Sequence, residues 1–244
     1  GIDLPDIPLW AIWALQQYAR AYGREATLER YGDFAARLLD FILSGDHPAL
    51  TLDDNGLLSV NGTITPASWM NSMWDQRPVV PRTGQLVEIN ALWYNALMFM
   101  AQLAEGHEPL DAARHRWLAA AGKAGEAFAP TFLNDAGYLY DYVNGAYADP
   151  QVRPNMVIAA GLDFSPLDRR QRKGVLDVVT RELLTPKGLR TLSPKSYGYR
   201  PFYLGSPYDR EQAMHNGPAR PWLMGFYADA YLKVFGRSVV SYID

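Results

Sequence analysis

The stretch Ser68-Trp69-Met70-Asn71-Ser72-Met73-Trp74-Asp75 is followed by Arg82 and then by Glu88, Asn90 and Trp93, crowding indoles, amides, carboxylates and a guanidinium into fewer than thirty positions. Indole faces stack on the C–H surfaces of a pyranose, while amides, carboxylates and guanidinium groups bond its hydroxyls. The mixture suits a grip on a polyhydroxylated ligand. The same residue types recur far away in the chain, at Asp6, Trp10, Asp141, Arg153, Asn155 and Trp222, joined there by His215. Cleaving a glycosidic bond makes one further demand, two carboxyl groups on opposite sides of the scissile bond. Each residue also has a plainer reading. Asp6 is equally a helix cap, Trp10, Trp93 and Trp222 are equally core, Glu88 and Arg82 could form a structural ion pair, and Asp75 is the more natural as a turn residue.

Other chemistries find little support. His47, His107, His115 and His215 have no metal-ligand spacing, so no metal or other cofactor is expected. The sequence contains no cysteine, which excludes disulfides, thiolate ligands and a Cys nucleophile. Neither a Gly-rich phosphate loop nor a Gly-x-Ser-x-Gly elbow is present. A net charge of -3 with no basic block gives no case for nucleic acid, and a neutral ligand fits better than an anionic one. Nor does any apolar run reach the length of a membrane span, and no charged-then-apolar signal region opens the chain. A soluble, cytoplasmic protein is expected.

At 244 residues, 48% of them hydrophobic, the chain can bury a large core. Seven helices are expected to position the site. The first runs over 7–22 after a cap at Asp3 or Asp6, with Pro8 in its first turn and Gly23 ending it. The second, over 27–44, starts at Thr27 and sets Leu28, Tyr31, Phe34, Leu38 and Ile42 opposite Arg30, Asp33, Arg37 and Asp40. A third over 86–104 is apolar nearly all round, and a fourth over 110–128 has a wet face. Arg153-Pro154-Asn155 starts the fifth, which runs to Leu162. Ser165-Pro166 caps the sixth, which ends at Lys187-Gly188, and the seventh spans 220–235. A short strand is allowed near Gly137-Tyr138-Leu139-Tyr140-Asp141-Tyr142.

Short connections alternate with long ones of about 23 to 40 residues, and loops that long inside a compact domain are usually functional. With antiparallel neighbours, every long loop falls at one end of the helix array. The odd-numbered helices are apolar or aromatic nearly all round and the even-numbered ones have a charged face. An all-α fold with an inner ring wrapped by an outer ring follows, an (α/α)6 toroid that seven helices leave incomplete. An open solenoid of helix pairs is the plainer alternative, but no repeat of fixed period supports it. Residues 1–244 read as one toroid domain, cut from something longer at both ends.

These residues resemble a known family, the α-1,6-glucosidase domain of glycogen debranching enzymes. That family's Asp-Ala-Ser-Leu-Trp is matched by Asp6-Ile7-Pro8-Leu9-Trp10. Its Thr-Trp-Met-Asp-Ala, the Arg eleven residues after that Asp, and its Val-Glu-Ile-Asn-Ala-Leu-Trp-Tyr-Asn-Ala-Leu align without a gap on residues 68–72, Arg82 and residues 87–97. Arg153-Pro154-Asn155, the run 183–192 and the run 210–222 resemble three further motifs, so the likeness covers nearly the whole chain. The resemblance implies an (α/α)6 toroid that removes the α-1,6-linked glucose stub at branch points of glycogen or limit dextrin. It implies an inverting acid/base mechanism, an α-glucan partner, and Asn71 at the place of the general acid. The departures cluster in the same region. The family's acidic Asp is Asn71 here, and its last motif carries Met214, Pro218, Ala219 and Arg220 in place of Tyr, Thr, Val and Trp. The family's base is expected downstream of Asp244. A carboxamide cannot donate the proton, so the alternative is a catalytically impaired module that binds α-glucan.

Overall fold

A computed structural model describes residues 4–236; the expected alternative cap Asp3 lies outside them. The helices in chain order are α1 (Ile7–Tyr22), α2 (Arg24–Leu43), α3 (Val87–Leu103), α4 (Asp111–Phe132), α5 (Asn155–Gly161), α6 (Arg169–Glu182), α7 (Pro207–Ala213) and α8 (Met224–Phe235). In the inner row, α3 packs between α1 and α5, and α5 packs on α8. Outside them α2 lies on α1, α4 on α3, and α6 on α5 and α8. This is the paired-layer arrangement of an (α/α)6 toroid.

Burial follows the layers. Every residue of α5 is buried, and α3 buries apolar and polar positions all round, including Glu88, Asn90 and Asn95. On α2 the buried stripe is Thr27, Gly32, Ala35, Ala36, Leu39 and Ile42, whereas Phe34 is half exposed. The expected apolar face is thus rotated toward Thr27, Gly32, Ala35 and Ala36.

Several helix ends differ from expectation. Asp6 makes no side-chain cap to α1; its carboxylate is turned into the site described below. Gly23, at φ 92°, ends α1 and directly precedes α2, so α2 begins at Arg24 and not at Thr27, whose Oγ1 donates to the Gly23 carbonyl at 2.7 Å. The cap of α6 is Asp168, in a reciprocal capping box with Gln171, while Ser165 Oγ donates to the Ala159 carbonyl. α6 stops at Glu182, not near Lys187. A further helix, α7, occupies part of the expected loop between residues 189 and 217. It is capped by Ser206 and Asp209 with Pro207 in its first turn.

The long connections carry ten short strands among the described residues, where the sequence suggested one. These are β1 (Thr51–Leu52), β2 (Leu58–Val60), β3 (Met73–Trp74), β4 (Arg77–Pro78), β5 (Gly84–Leu86), β6 (Tyr142–Asn144), β7 (Tyr147–Ala148), β8 (Leu184–Thr185), β9 (Gly188–Arg190) and β10 (Ala219–Arg220). One antiparallel sheet in the order β1-β2-β5-β6-β7 joins the α2–α3 and α4–α5 connections. β8, β9 and β10 form a second sheet, and the β3–β4 hairpin packs against α7. All three long connections therefore meet at one end of the helix array.

Candidate active site

α3 begins immediately after β5, so Glu88 in its first turn stands next to the sheet that carries β6, and Asp141 just precedes β6. Arg82 lies in the segment leading into β5 and reaches both carboxylates. Its Nε donates to Asp141 Oδ2 at 2.6 Å and its Nη2 to Asp141 Oδ1 at 3.0 Å; Nη2 also donates to Glu88 Oε2 at 2.7 Å. Nη1 donates to Glu88 Oε1 and to Ser68 Oγ. All three charged groups are buried. Burial alone would lower the Arg82 pKa, but Asp141 and Glu88 reverse this and raise it above the ordinary arginine value. Arg153, with its Nε 3.9 Å from Asp141 Oδ2, brings a second positive charge, so two cations face two anions. Burial pulls the Arg153 pKa down, opposed by Asp141.

From Asp141 a line of hydrogen bonds runs out to the aromatic residues. Asn155 Nδ2 donates to Asp141 Oδ1 at 2.8 Å and its Oδ1 accepts from Trp69 Nε1 at 2.8 Å. The Trp69 backbone N–H donates to Asp6 Oδ2 at 3.0 Å, and Trp10 Nε1 donates to the same oxygen at 3.1 Å. Asp6 thus braces two tryptophans from a helix and a loop that are far apart in sequence. Its burial raises its pKa from 3.8 to about 6; bonds from Trp10 and Trp69 lower it, and Glu88 raises it further. Among the carboxyl groups of this cluster, Asp6 is the one without a cationic partner.

The rings form a wall. Trp69 meets Trp222 edge to face at 5.1 Å, Trp222 meets Trp10 at 5.9 Å, and Trp10 meets Trp13 at 5.7 Å. Trp10, Trp13, Trp222 and Phe226 border a cleft of about 500 Å³ between α1 and α8. Sequence reasoning misses Trp13, although its spacing three residues after Trp10 puts both on one side of α1. Beside the wall, the Asn71 side chain is exposed and its backbone N–H donates to His215 Nε2 at 3.1 Å. That bond requires the neutral tautomer with its proton on Nδ1, which has no partner among the described residues. Burial, with Arg220, Arg153 and Arg82 nearby, lowers the His215 pKa to about 3. Arg153 Nη1 donates to the His215 carbonyl at 2.6 Å, fixing the loop that carries the ring.

Three expected site residues lie elsewhere. Asn90 clamps β2 to α3, accepting from Leu58 N at 2.6 Å and donating to the Leu58 and Leu86 carbonyls. Trp93 is fully buried and donates to the Gly56 carbonyl at 3.2 Å. Asp75, at φ 48°, is exposed in the β3–β4 turn. Asp6, Trp10, Trp69, Asn71, Arg82, Glu88, Asp141, Arg153, Asn155, His215 and Trp222 are brought into one connected cluster. No group of three or more His, Asp or Glu side chains among the described residues could hold a metal ion, and no described helix is long and apolar enough to cross a membrane.

The glycogen debranching enzyme of Saccharomyces cerevisiae is 26% identical over 217 residues, covering 72% of this chain but only 14% of the yeast enzyme. In fold, the chain is similar to the GH63 mannosylglycerate hydrolase of Thermus thermophilus, with a TM-score of 0.68 at 13% identity, over 98% of this chain and 66% of that one. The neutral trehalase of S. cerevisiae aligns with a TM-score of 0.43 at 14% identity, over 65% of this chain and 32% of that one. The profile of the family described as Amylo-alpha-1,6-glucosidase matches residues 3–242. With a match of that extent, the chain belongs to the amylo-alpha-1,6-glucosidase family.

Proposed function

We propose that this chain forms the glucosidase part of a debranching-type protein and acts on α-1,6-linked glucose at branch points of glycogen or limit dextrin. The observation that carries the reading is the continuous wall from Trp10 through Asp6, Trp69 and Asn155 to Asp141, with ring faces and braced polar groups beside Asn71. In the inverting route, a carboxylic acid protonates the bridging oxygen while a carboxylate on the far side of the ring activates water, the two lying ~6.5–9.5 Å apart. Glu88 and Asp141 are both held by Arg82 and serve as scaffold. Asn71 occupies the place where the resemblance implies the acid, and its amide has no proton to give. Asp6 keeps its proton to about pH 6 and is the cluster's remaining source of one. The base is assigned to no residue of this chain.

Asn71 also favours a second reading, a module that binds α-glucan without cleaving it. Glucose release from a phosphorylase limit dextrin by the full-length protein separates the two. For a hydrolase, the natural protein turns over and Asn71→Asp raises the rate by about 10²–10⁴, the usual contribution of a general acid. Silence in both proteins, with the dextrin still bound, leaves the binding module. Failure of both to bind the dextrin defeats both readings.

A further inference from the structure

A second cleft, of about 300 Å³, shares Arg153 with the charged cluster but contains neither Arg82, Glu88, Asp141 nor any tryptophan of the wall. Its size is at the small end of ligand clefts, which run from ~300 to 1,000 Å³. All three long connections build it. Val79, Val80 and Pro81 come from the first, Tyr142 and Tyr147 from the second, and Tyr197 from the third.

Tyr147 and Tyr197 are presented to solvent, while Tyr142 is partly buried against the core. Tyr142 and Tyr147 pair at 5.8 Å between ring centroids, tilted by 49°, Tyr147 is half exposed, and Tyr197 is 99% exposed at the edge of the cleft. None of their hydroxyls has a hydrogen-bond partner among the described residues. Burial, then the charge of Asp149, pushes the Tyr142 phenol up to about 12, so it keeps its donor proton at any physiological pH.

The polar lining is fixed from behind. Arg153 Nη2 donates to Gln151 Oε1 at 2.8 Å and to Asn216 Oδ1 at 3.0 Å. That orients the Gln151 amide and leaves its own N–H groups without a partner among the described residues. Asp149 Oδ1 accepts from the Gln151 backbone at 3.2 Å and offers a carboxylate to the same space. One buried cation and one carboxylate leave the cleft without a net charge for capturing an ion. Ring faces, unpaired phenols and an oriented amide around a narrow opening fit a neutral ligand rich in both C–H surfaces and hydroxyls.

We infer that this cleft binds a further run of glucose units of the same polymer, holding the glucan on the loop face apart from the glucose that meets the tryptophan wall. The inference rests on the glucan reading proposed above. Calorimetric titration with linear maltoheptaose and with limit dextrin tests it on the natural protein and on the double variant Tyr147→Ala/Tyr197→Ala. Both tyrosines are exposed enough for the double variant to fold normally. The expected result is that the double variant weakens maltoheptaose binding by about tenfold, as loss of an aromatic anchor does. Unchanged maltoheptaose affinity in the double variant overturns the cleft and leaves the glucan reading intact, as does a natural protein that binds limit dextrin but not maltoheptaose. A natural protein that binds neither overturns the glucan reading itself.

Discussion

Arg82 grips Asp141 side-on, Nε to Oδ2 at 2.6 Å and Nη2 to Oδ1 at 3.0 Å, and the same guanidinium bonds both oxygens of Glu88. Removing it leaves two buried carboxylates facing each other with only Arg153 to offset them. Arg82→Met is therefore expected to cost about 3–5 kcal/mol of stability, the usual result of orphaning a buried charge. Urea unfolding followed by far-ultraviolet circular dichroism measures the loss. A cost under about 1 kcal/mol would show that the carboxylates find water or other partners. Arg82→Lys, which cannot reproduce the fork, should recover only part of the loss.

Asp6 and His215 give opposite pH dependences. Asp6 holds its proton to about pH 6 when folded against an ordinary value of 3.8, so the folded state binds the extra proton in that window. Its contribution to stability is present below about pH 4 and is lost as pH rises through about 6. The His215 pKa falls to about 3 from 6.5, so there the unfolded state binds the extra proton. That contribution is present above about pH 6.5 and is lost as pH falls toward 3. Asp6→Asn should therefore make stability rise more steeply with pH between about 4 and 6, and His215→Gln should make it rise less. Unfolding midpoints across pH 4 to 7 check both; parallel profiles in all three proteins would refute the assignment.

Trp69→Phe keeps a ring in the wall but deletes the indole N–H that Asn155 Oδ1 accepts. A buried acceptor left unpaired costs about 1–3 kcal/mol. Ring-dependent glucan affinity should fall less in Trp69→Phe than in Trp69→Ala, since the aromatic face survives. Equal losses in the two variants, measured by dextrin titration, would mean that the hydrogen bond, not the face, matters.

Gly161 ends α5 against α8 so closely that an added Cβ would lie 2.5 Å from the Phe226 carbonyl oxygen. Gly161→Ala must push α8 outward, at about 1–3 kcal/mol for an overpacked contact. Because Trp222 sits just before α8 and faces Trp10 and Trp69, the shift should be visible as a change in tryptophan fluorescence as well as in thermal stability. An unchanged spectrum would show that the wall is held independently of α8.

The layered fold was legible because α3 and α5 have no polar face, and the alternation of loop lengths put the chemistry at one end. The grouping of Asp6, Trp69, Arg82 and Asn155 was legible for the same reason. The strands were not, since two- and three-residue ladders leave almost no periodic trace. Local chemistry misled where two signals of one kind compete. Ser165-Pro166 and Ser206-Pro207 both look like helix starts, yet Ser165 spends its hydroxyl on the Ala159 carbonyl and α6 waits for Asp168, while Ser206 does cap α7. Asn90 and Trp93 sit among the site motifs in sequence, but the turn of α3 points them at β2 and Gly56. Residues with the right chemistry in the right stretch can still face the wrong way.

The bonds that define the wall join positions far apart along the chain, 86 residues for Trp69 to Asn155 and 144 for Asn71 to His215. The helix pairs α1–α2, α3–α4 and α5–α6 close through short connections and can form early, whereas these contacts must wait for loop closures of high entropic cost. The site is therefore expected to assemble late in folding, after the scaffold. Mutations that weaken it should leave the folding rate nearly untouched and instead speed unfolding.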